Sequence, residues 1–137
     1  MPLTWIHENP ALWDAAKQAV LGGAPAGALP PYDTTAGGVA PGDWWRVERD
    51  GEVVGYGWMD VSWGDAEILL AVAPSARGTG VGGHILEKLE EEAGSRGLKR
   101  IFNTVRPGHP ERQQVMAWLG RRGFSSADRE QLYRVVR

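Results

Sequence analysis

Apolar and polar positions divide this chain into short alternating and periodic segments. "LTWIHE" (Leu3–Glu8) reads as a strand. "NPALWDAAKQAVLGG" reads as a helix in which Asn9 caps, Pro10 occupies the first turn and Gly22 follows the end. Gly22–Asp43 is rich in Gly and Pro and has no period, the signature of a long loop that is mobile or functional. "WWRVERDGEVVGYGWMDVSW" predicts a hairpin, with Asp50-Gly51 as a two-residue turn between strands Trp44–Arg49 and Glu52–Trp63. Trp44 and Trp45, adjacent on a strand, must point to opposite faces, so one of the pair is expected to be exposed or in a cleft.

After Gly64-Asp65 comes "AEILLAVA" (Ala66–Ala73), a near-continuous apolar run that predicts a strand buried on both faces. "VGGHILEKLEEEAGSRG" follows with helical period. Ile85, Leu86, Leu89 and Ala93 form its inner face, and Glu87, Lys88, Glu90 and Glu91 its wet one. "LKRIFNTV" (Leu98–Val105) is a strand. "PERQQVMAWLGRRG" is a helix with Val115, Met116 and Leu119 inward, and "FSSADREQLYRVVR" closes as one or two strands, the last being Leu132–Val136.

The antiparallel hairpin in the first half and the strand–helix–strand–helix order in the second predict a mixed α/β sheet covered by helices. The length, 137 residues, suits a single domain over 1–137. The formal net charge of −2 gives no basic footprint for duplex nucleic acid. Cysteine is absent, which excludes disulfides, thiolate-bound zinc and a cysteine nucleophile. The start lacks a signal-peptide pattern and no apolar run is long enough to cross a membrane, so a cytoplasmic location is expected. Six of the seven tryptophans precede residue 76, and core packing accounts for most of them.

The chemistry concentrates in "ARGTGVGGHIL" (Ala76–Leu86), where glycines crowd the start of a helix. Glycines there let backbone N–H groups point at an anion, so a phosphate ligand is expected. Gly78-Thr79-Gly80-Val81-Gly82-Gly83 contains G-x-G-x-x-G, but "PSAR" intervenes after the strand and the next strand ends "FNTV" without a ribose-binding carboxylate. A P-loop would need Gly-Lys-Ser/Thr, and Gly82-Gly83-His84 does not supply it.

Read from Arg77, the same stretch is R-x-x-G-x-G at the junction of an apolar strand and an amphipathic helix. This resembles the acetyl-CoA-binding motif Q/R-x-x-G-x-G/A of the Gcn-related N-acetyltransferase (GNAT) superfamily. The likeness runs from about Trp44 to the C-terminus and takes in "LAVAPSARGTGVGGHILEKLEEEA", "WLGRRGF" and the element order. It implies a mostly antiparallel central sheet with helices on both faces, and transfer of an acetyl group from acetyl-CoA to a primary amine of a small molecule or peptide, with no metal. A monomer or homodimer acting on such an amine, away from nucleic acid and membrane, follows from the same reading.

The resemblance further implies that Arg77, Gly78, Thr79, Gly80, Val81 and Gly82 hold the pyrophosphate and that Leu70, Ala71 and Val72 bond the pantetheine arm. A backbone N–H of that segment would also hold the oxyanion. An alkylammonium with a pKa of about 10 must lose a proton before it attacks. Glu67, the only carboxylate within "AEILLAVA", is the expected base, with Asp60 in reserve. Tyr32, Asp33, Trp58, Trp63 and Arg106 are expected at the acceptor side, Tyr32 and Asp33 as part of a lid. Many members protonate the leaving thiolate with a tyrosine. Aligning on Gly123-Phe124 places Leu119 there and Arg112 at the preceding asparagine position, so the usual acid is missing. His109 and Tyr133 are possible substitutes, and the missing acid leaves open a non-catalytic acyl-CoA-binding module. His84 is expected to be a packed or solvated side chain, and Gly83 to owe its identity to close packing.

Overall fold

A computed structural model describes residues 2–21, 42–105, 111–126 and 131–136. The elements in chain order are β1 (Thr4–Glu8), α1 (Ala15–Leu21), β2 (Asp43–Arg49), β3 (Glu52–Ser62), β4 (Asp65–Val72), α2 (Val81–Ser95), β5 (Arg100–Thr104), α3 (Arg112–Arg121), β6 (Ser125–Ser126) and β7 (Gln131–Val135). The strands form one mixed sheet in the order β1-β2-β3-β4-β5-β7-β6. Every pairing is antiparallel except β4 with β5, and helices lie on both faces.

Both hairpins turn on residues with positive φ. Asp50 (54°) and Gly51 (80°) connect β2 to β3, and Trp63 (54°) and Gly64 (83°) connect β3 to β4. Two left-handed residues in succession match the right-handed twist of the flanking strands. The predicted strand through Trp63 therefore ends one residue early. Trp63 is itself a turn residue, which is uncommon for a bulky side chain, and it is fully exposed.

On one face, α2 presses Val81, Ile85 and Leu89 against β3 and β4. The close approach requires Gly57: a Cβ there would come within 2.7 Å of the Trp5 ring and 3.1 Å of Ile85. Trp45 stacks on Trp5 on this side, with ring centroids 5.5 Å apart. On the other face, Trp13 and Leu21 cover Trp44, Tyr56 and Trp58. Neither Trp44 nor Trp45 is exposed, contrary to expectation, because each face carries its own helix. Glu90 is not a freely wet side chain either: it is mostly buried and ion-paired with Arg134 at 2.8 Å.

The first helix begins later than the sequence suggests. Asn9-Pro10 is a cis peptide bond outside the helix, and the Asp14 carboxylate accepts the Lys17 backbone N–H at 2.8 Å, capping a helix that starts at Ala15. Lys17 is fully buried. Its ammonium pairs with the Glu8 carboxylate, donates to the Leu12 carbonyl at 2.8 Å and lies over the rings of Trp44 and Tyr56. This pair ties α1 to the β1 edge and fixes the helix whose end faces the cleft described below. Removing one member of a buried ion pair strands the other. Lys17→Met is therefore expected to destabilise the fold by about 3 kcal/mol. Chemical denaturation should show partial recovery when Glu8→Gln is added.

Candidate functional site

The site begins where the sheet comes apart. Among the described residues, β4 and β5 are paired only from Asp65↔Arg100 to Glu67↔Phe102, and β4 then runs on to Val72 without a strand partner on that side. The resulting cleft has a volume of about 600 Å³. Leu69–Val72 form one wall, the Arg77–Gly83 region the floor, α3 the opposite wall, and Val20 and Leu21 of α1 the rim. This explains why β4 is not buried on both faces as its apolar run predicts: Leu69 to Val72 are only half-buried because they border open space.

The backbone direction along β4 can be assigned. The Ala73 N–H donates to the Val54 carbonyl of β3 at 2.8 Å, and the Asn103 side-chain amide of β5 donates to the Ile68 carbonyl at 2.7 Å. Peptide groups alternate sides along a strand, so those of Leu69 and Ala71 face β3, and those of Leu70 and Val72 face the cleft.

At the floor, Gly80 (φ 87°) is the N-cap of α2, and among the described residues no side-chain cap bonds the helix start. The first-turn N–H groups, together with the helix dipole, attract an anion. A Cβ at Gly78 or Gly80 would meet nothing within 4 Å, so the space in front of this loop is open to a ligand. Thr79 Oγ1 donates to the Ala76 carbonyl and lies 3.4 Å from the Arg49 guanidinium, which fastens the loop to the end of β2. Gly83 is not closely packed, contrary to expectation, and neither is Gly82. A Cβ at Gly82 would lie 3.4 Å from Trp118, whereas at Gly83 it would meet only Arg122 at 3.8 Å. The Arg122 guanidinium lies 3.8 Å from the centre of the Trp118 ring, on the α3 wall.

The structure therefore brings together Leu70, Ala71, Val72, Arg77, Gly78, Gly80, Val81 and Gly82 around one cleft, with Thr79 in the same loop. Glu67 is half-buried on β4 at the last residue paired with β5, directly opposite Asp60 on β3. Trp58 is buried beneath α1, beside Leu69, and Trp63 stands apart at the turn. Leu119 lines the cleft as an apolar residue only 1% exposed. Tyr133 packs against Phe102 with ring centroids 5.2 Å apart, and its hydroxyl donates to Gln131. His84 packs edge-on against Trp5, and burial holds its pKa below the ordinary value, reinforced by Lys88 and opposed by Glu87 and Glu91. Tyr32, Asp33, Arg106 and His109 lie outside the described residues.

Sequence reasoning missed Asn103, Arg49, Trp118 and Arg122. Asn103 offered one signal, a polar residue in a buried strand; the other three become visible only once helix and strand ends meet in space.

A cleft between parting strands, with free N–H groups along one wall and an uncapped helix start beneath, suits a long ligand that carries amides and a pyrophosphate. Comparison with known proteins agrees. The model of the Acetyltransferase (GNAT) family matches residues 10–124, and the chain belongs to that family. Its fold is that of GNAT acyl-CoA N-acyltransferases, and acetyl-CoA is the family's acetyl donor. The ribosomal-protein-S18-alanine N-acetyltransferase from Escherichia coli is 20% identical, with 68% of each chain covered and a TM-score of 0.58. Ribosomal-protein-alanine N-acetyltransferase from Brucella melitensis is 23% identical over 69% of this chain and 68% of that one, with a TM-score of 0.59. A PaiA N-acetyltransferase from Thermoplasma acidophilum, solved with coenzyme A, is 13% identical over 67% of this chain and 59% of that one, with a TM-score of 0.57. No curated protein sequence matches the chain.

Gly80→Val places a β-branched side chain at a positive φ and in the open space before the start of α2. Its affinity for coenzyme A, measured by calorimetry on folded protein, is expected to fall about tenfold, from lost charge-assisted bonds.

Proposed function

We propose that this protein transfers the acetyl group of acetyl-CoA to a primary amine of a small molecule or peptide by direct attack. The observation that carries the proposal is the continuity of the cleft. The start of α2 and the Leu70–Val72 edge of β4 line one cleft, and Glu67 stands on the same strand, at the last residue paired with β5.

In this reading the N–H groups at Gly80–Gly83 receive the pyrophosphate, with Arg77 adding charge at the rim. The Val72 edge receives the amides of the pantetheine arm as an added strand would. The Leu70 N–H receives the thioester carbonyl oxygen as it gains charge. Glu67 removes the proton from the acceptor ammonium. It lies three residues from Leu70, roughly 10 Å of strand, so a water relays the proton. Asp60 faces Glu67 across the strand pair, and two carboxylates side by side favour a cation between them. The nitrogen then bonds to the acetyl carbon and the carbon–sulfur bond breaks. Coenzyme A leaves as a thiolate, a leaving group that requires no dedicated acid. The assignment of Trp58, Trp63, Tyr32 and Asp33 to the acceptor side rests on sequence grounds alone, Trp58 being buried beneath α1 and Trp63 standing at the β3–β4 turn.

A second reading rests on Leu119. An apolar side chain where many relatives carry the proton-donating tyrosine is compatible with a module that binds acyl-CoA without turnover. Release of free thiol from acetyl-CoA across a panel of amines separates the two, since a binding module releases none. For the active enzyme, Glu67→Gln is expected to lower kcat by roughly 10²-fold at neutral pH, with the loss shrinking as pH rises and free amine accumulates. Coenzyme A affinity should stay at the wild-type value. Unchanged turnover would transfer the base role to Asp60.

A further inference from the structure

Asn103 is a buried polar side chain, 8% exposed, inside a strand whose neighbours Ile101 and Val105 are core residues. Its amide donates to the Ile68 carbonyl at 2.7 Å, one residue beyond the last backbone pairing of β4 with β5. A continued parallel ladder would satisfy that carbonyl with a backbone N–H of β5. Here a side chain does so, and the strands are free to part. The bond holds the last β4 carbonyl before the free edge, and Asn103 itself lines the cleft.

The next peptide group on the same side of β4 is that of Leu70. Because Ile68 is fixed from the β5 side and Ala73 is fixed to Val54 on the β3 side, the Leu70 N–H is held between two anchors. An N–H that is to receive a carbonyl oxygen contributes most when it is aimed before the ligand arrives. Removing the Asn103 donor would leave the Ile68 carbonyl buried and unsatisfied. That carbonyl would then draw β5 inward, or turn, and re-aim the peptide groups beyond it.

We propose that Asn103 is a positioning residue: its side chain ends the β4–β5 ladder and aims the Leu70 N–H at the thioester carbonyl. The inference rests on the acetyl-CoA reading of the cleft and assigns a role that the glycine motif does not cover.

The test uses two ligands that differ only at the carbonyl, acetyl-CoA and S-ethyl-CoA, with binding measured by calorimetry in the absence of an acceptor amine. One well-aimed hydrogen bond predicts that the wild-type protein prefers acetyl-CoA by about fivefold. Asn103→Leu, of similar volume and without a donor, should bind the two ligands equally, with its affinity for S-ethyl-CoA within about twofold of wild type. Asn103→Ala gives the same reading should the leucine variant fold poorly. A preference that survives both substitutions overturns the proposal, as does an equal loss of affinity for both ligands, which marks Asn103 as structural only. A wild-type protein that binds both ligands without preference overturns it while leaving the cleft assignment intact. Binding of neither ligand to wild type removes the acetyl-CoA reading itself, and the proposal with it.

Discussion

A strand edge inside a folded protein must bond to something, because a buried peptide group without a partner costs as much as a lost hydrogen bond. β4 meets that requirement on one side through its full register with β3, from Gly55↔Val72 to Ser62↔Asp65. On the other side, among the described residues, backbone pairing runs only as far as Glu67, and the Asn103 side chain satisfies the Ile68 carbonyl. The rest of the architecture follows from this imbalance. The free half of β4 has to face a cavity that water or a ligand can enter, and helices must hold the two strands apart. α2 lies close on β3 at Gly57, and Trp118 of α3 touches Gly82 at the start of α2. The site is the part of the sheet left unfinished.

The same constraint links cofactor and chemistry. A coenzyme that completed β4 as an extra strand, as we propose, would have its amides beside Val72 and its reactive end beside Leu70, and would run out at Glu67, where β5 takes over the pairing. Its phosphate end would reach the start of α2, to which β4 leads through the Pro74–Ala76 turn. Binding and reaction would then be ordered along one strand, with distances set by the rise of about 3.3 Å per residue that any strand obeys. The buried Lys17–Glu8 pair acts at a distance from this path. It anchors α1, and the last residues of α1 form the rim of the cleft.

Much of this was legible from residue order. Alternation marked the hairpin strands, and Asp50-Gly51 marked their turn, because a two-residue turn with positive φ at both positions leaves few choices of residue. The second hairpin was harder, since its turn places Trp63, a residue with no turn preference, at a positive φ. The R-x-x-G-x-G stretch marked the loop at the cleft floor because Gly78 and Gly80 there adopt positive φ, a local need that glycine answers. The cleft itself was not legible. "AEILLAVA" looks the same whether its far side meets another strand or open space, and the partner that decides the matter is a side chain on a strand 35 residues away. Lys17 and Glu90 were hidden for a related reason. Charge patterning assigns such residues to solvent, and only tertiary contacts with Glu8 and Arg134 draw them inward. The start of α1 was misplaced because Asn9-Pro10 matches a helix-entry pattern, while Asp14 supplies the cap that the chain uses.

The central claim is that the free edge of β4 is completed by the coenzyme. Amide hydrogen exchange followed by NMR tests it residue by residue. On adding coenzyme A, the Leu70 and Val72 amides should become strongly protected. Leu69 and Ala71, already directed to β3, should change little. Equal protection of all four amides, or none at Leu70 and Val72 when the ligand is bound, would contradict the account.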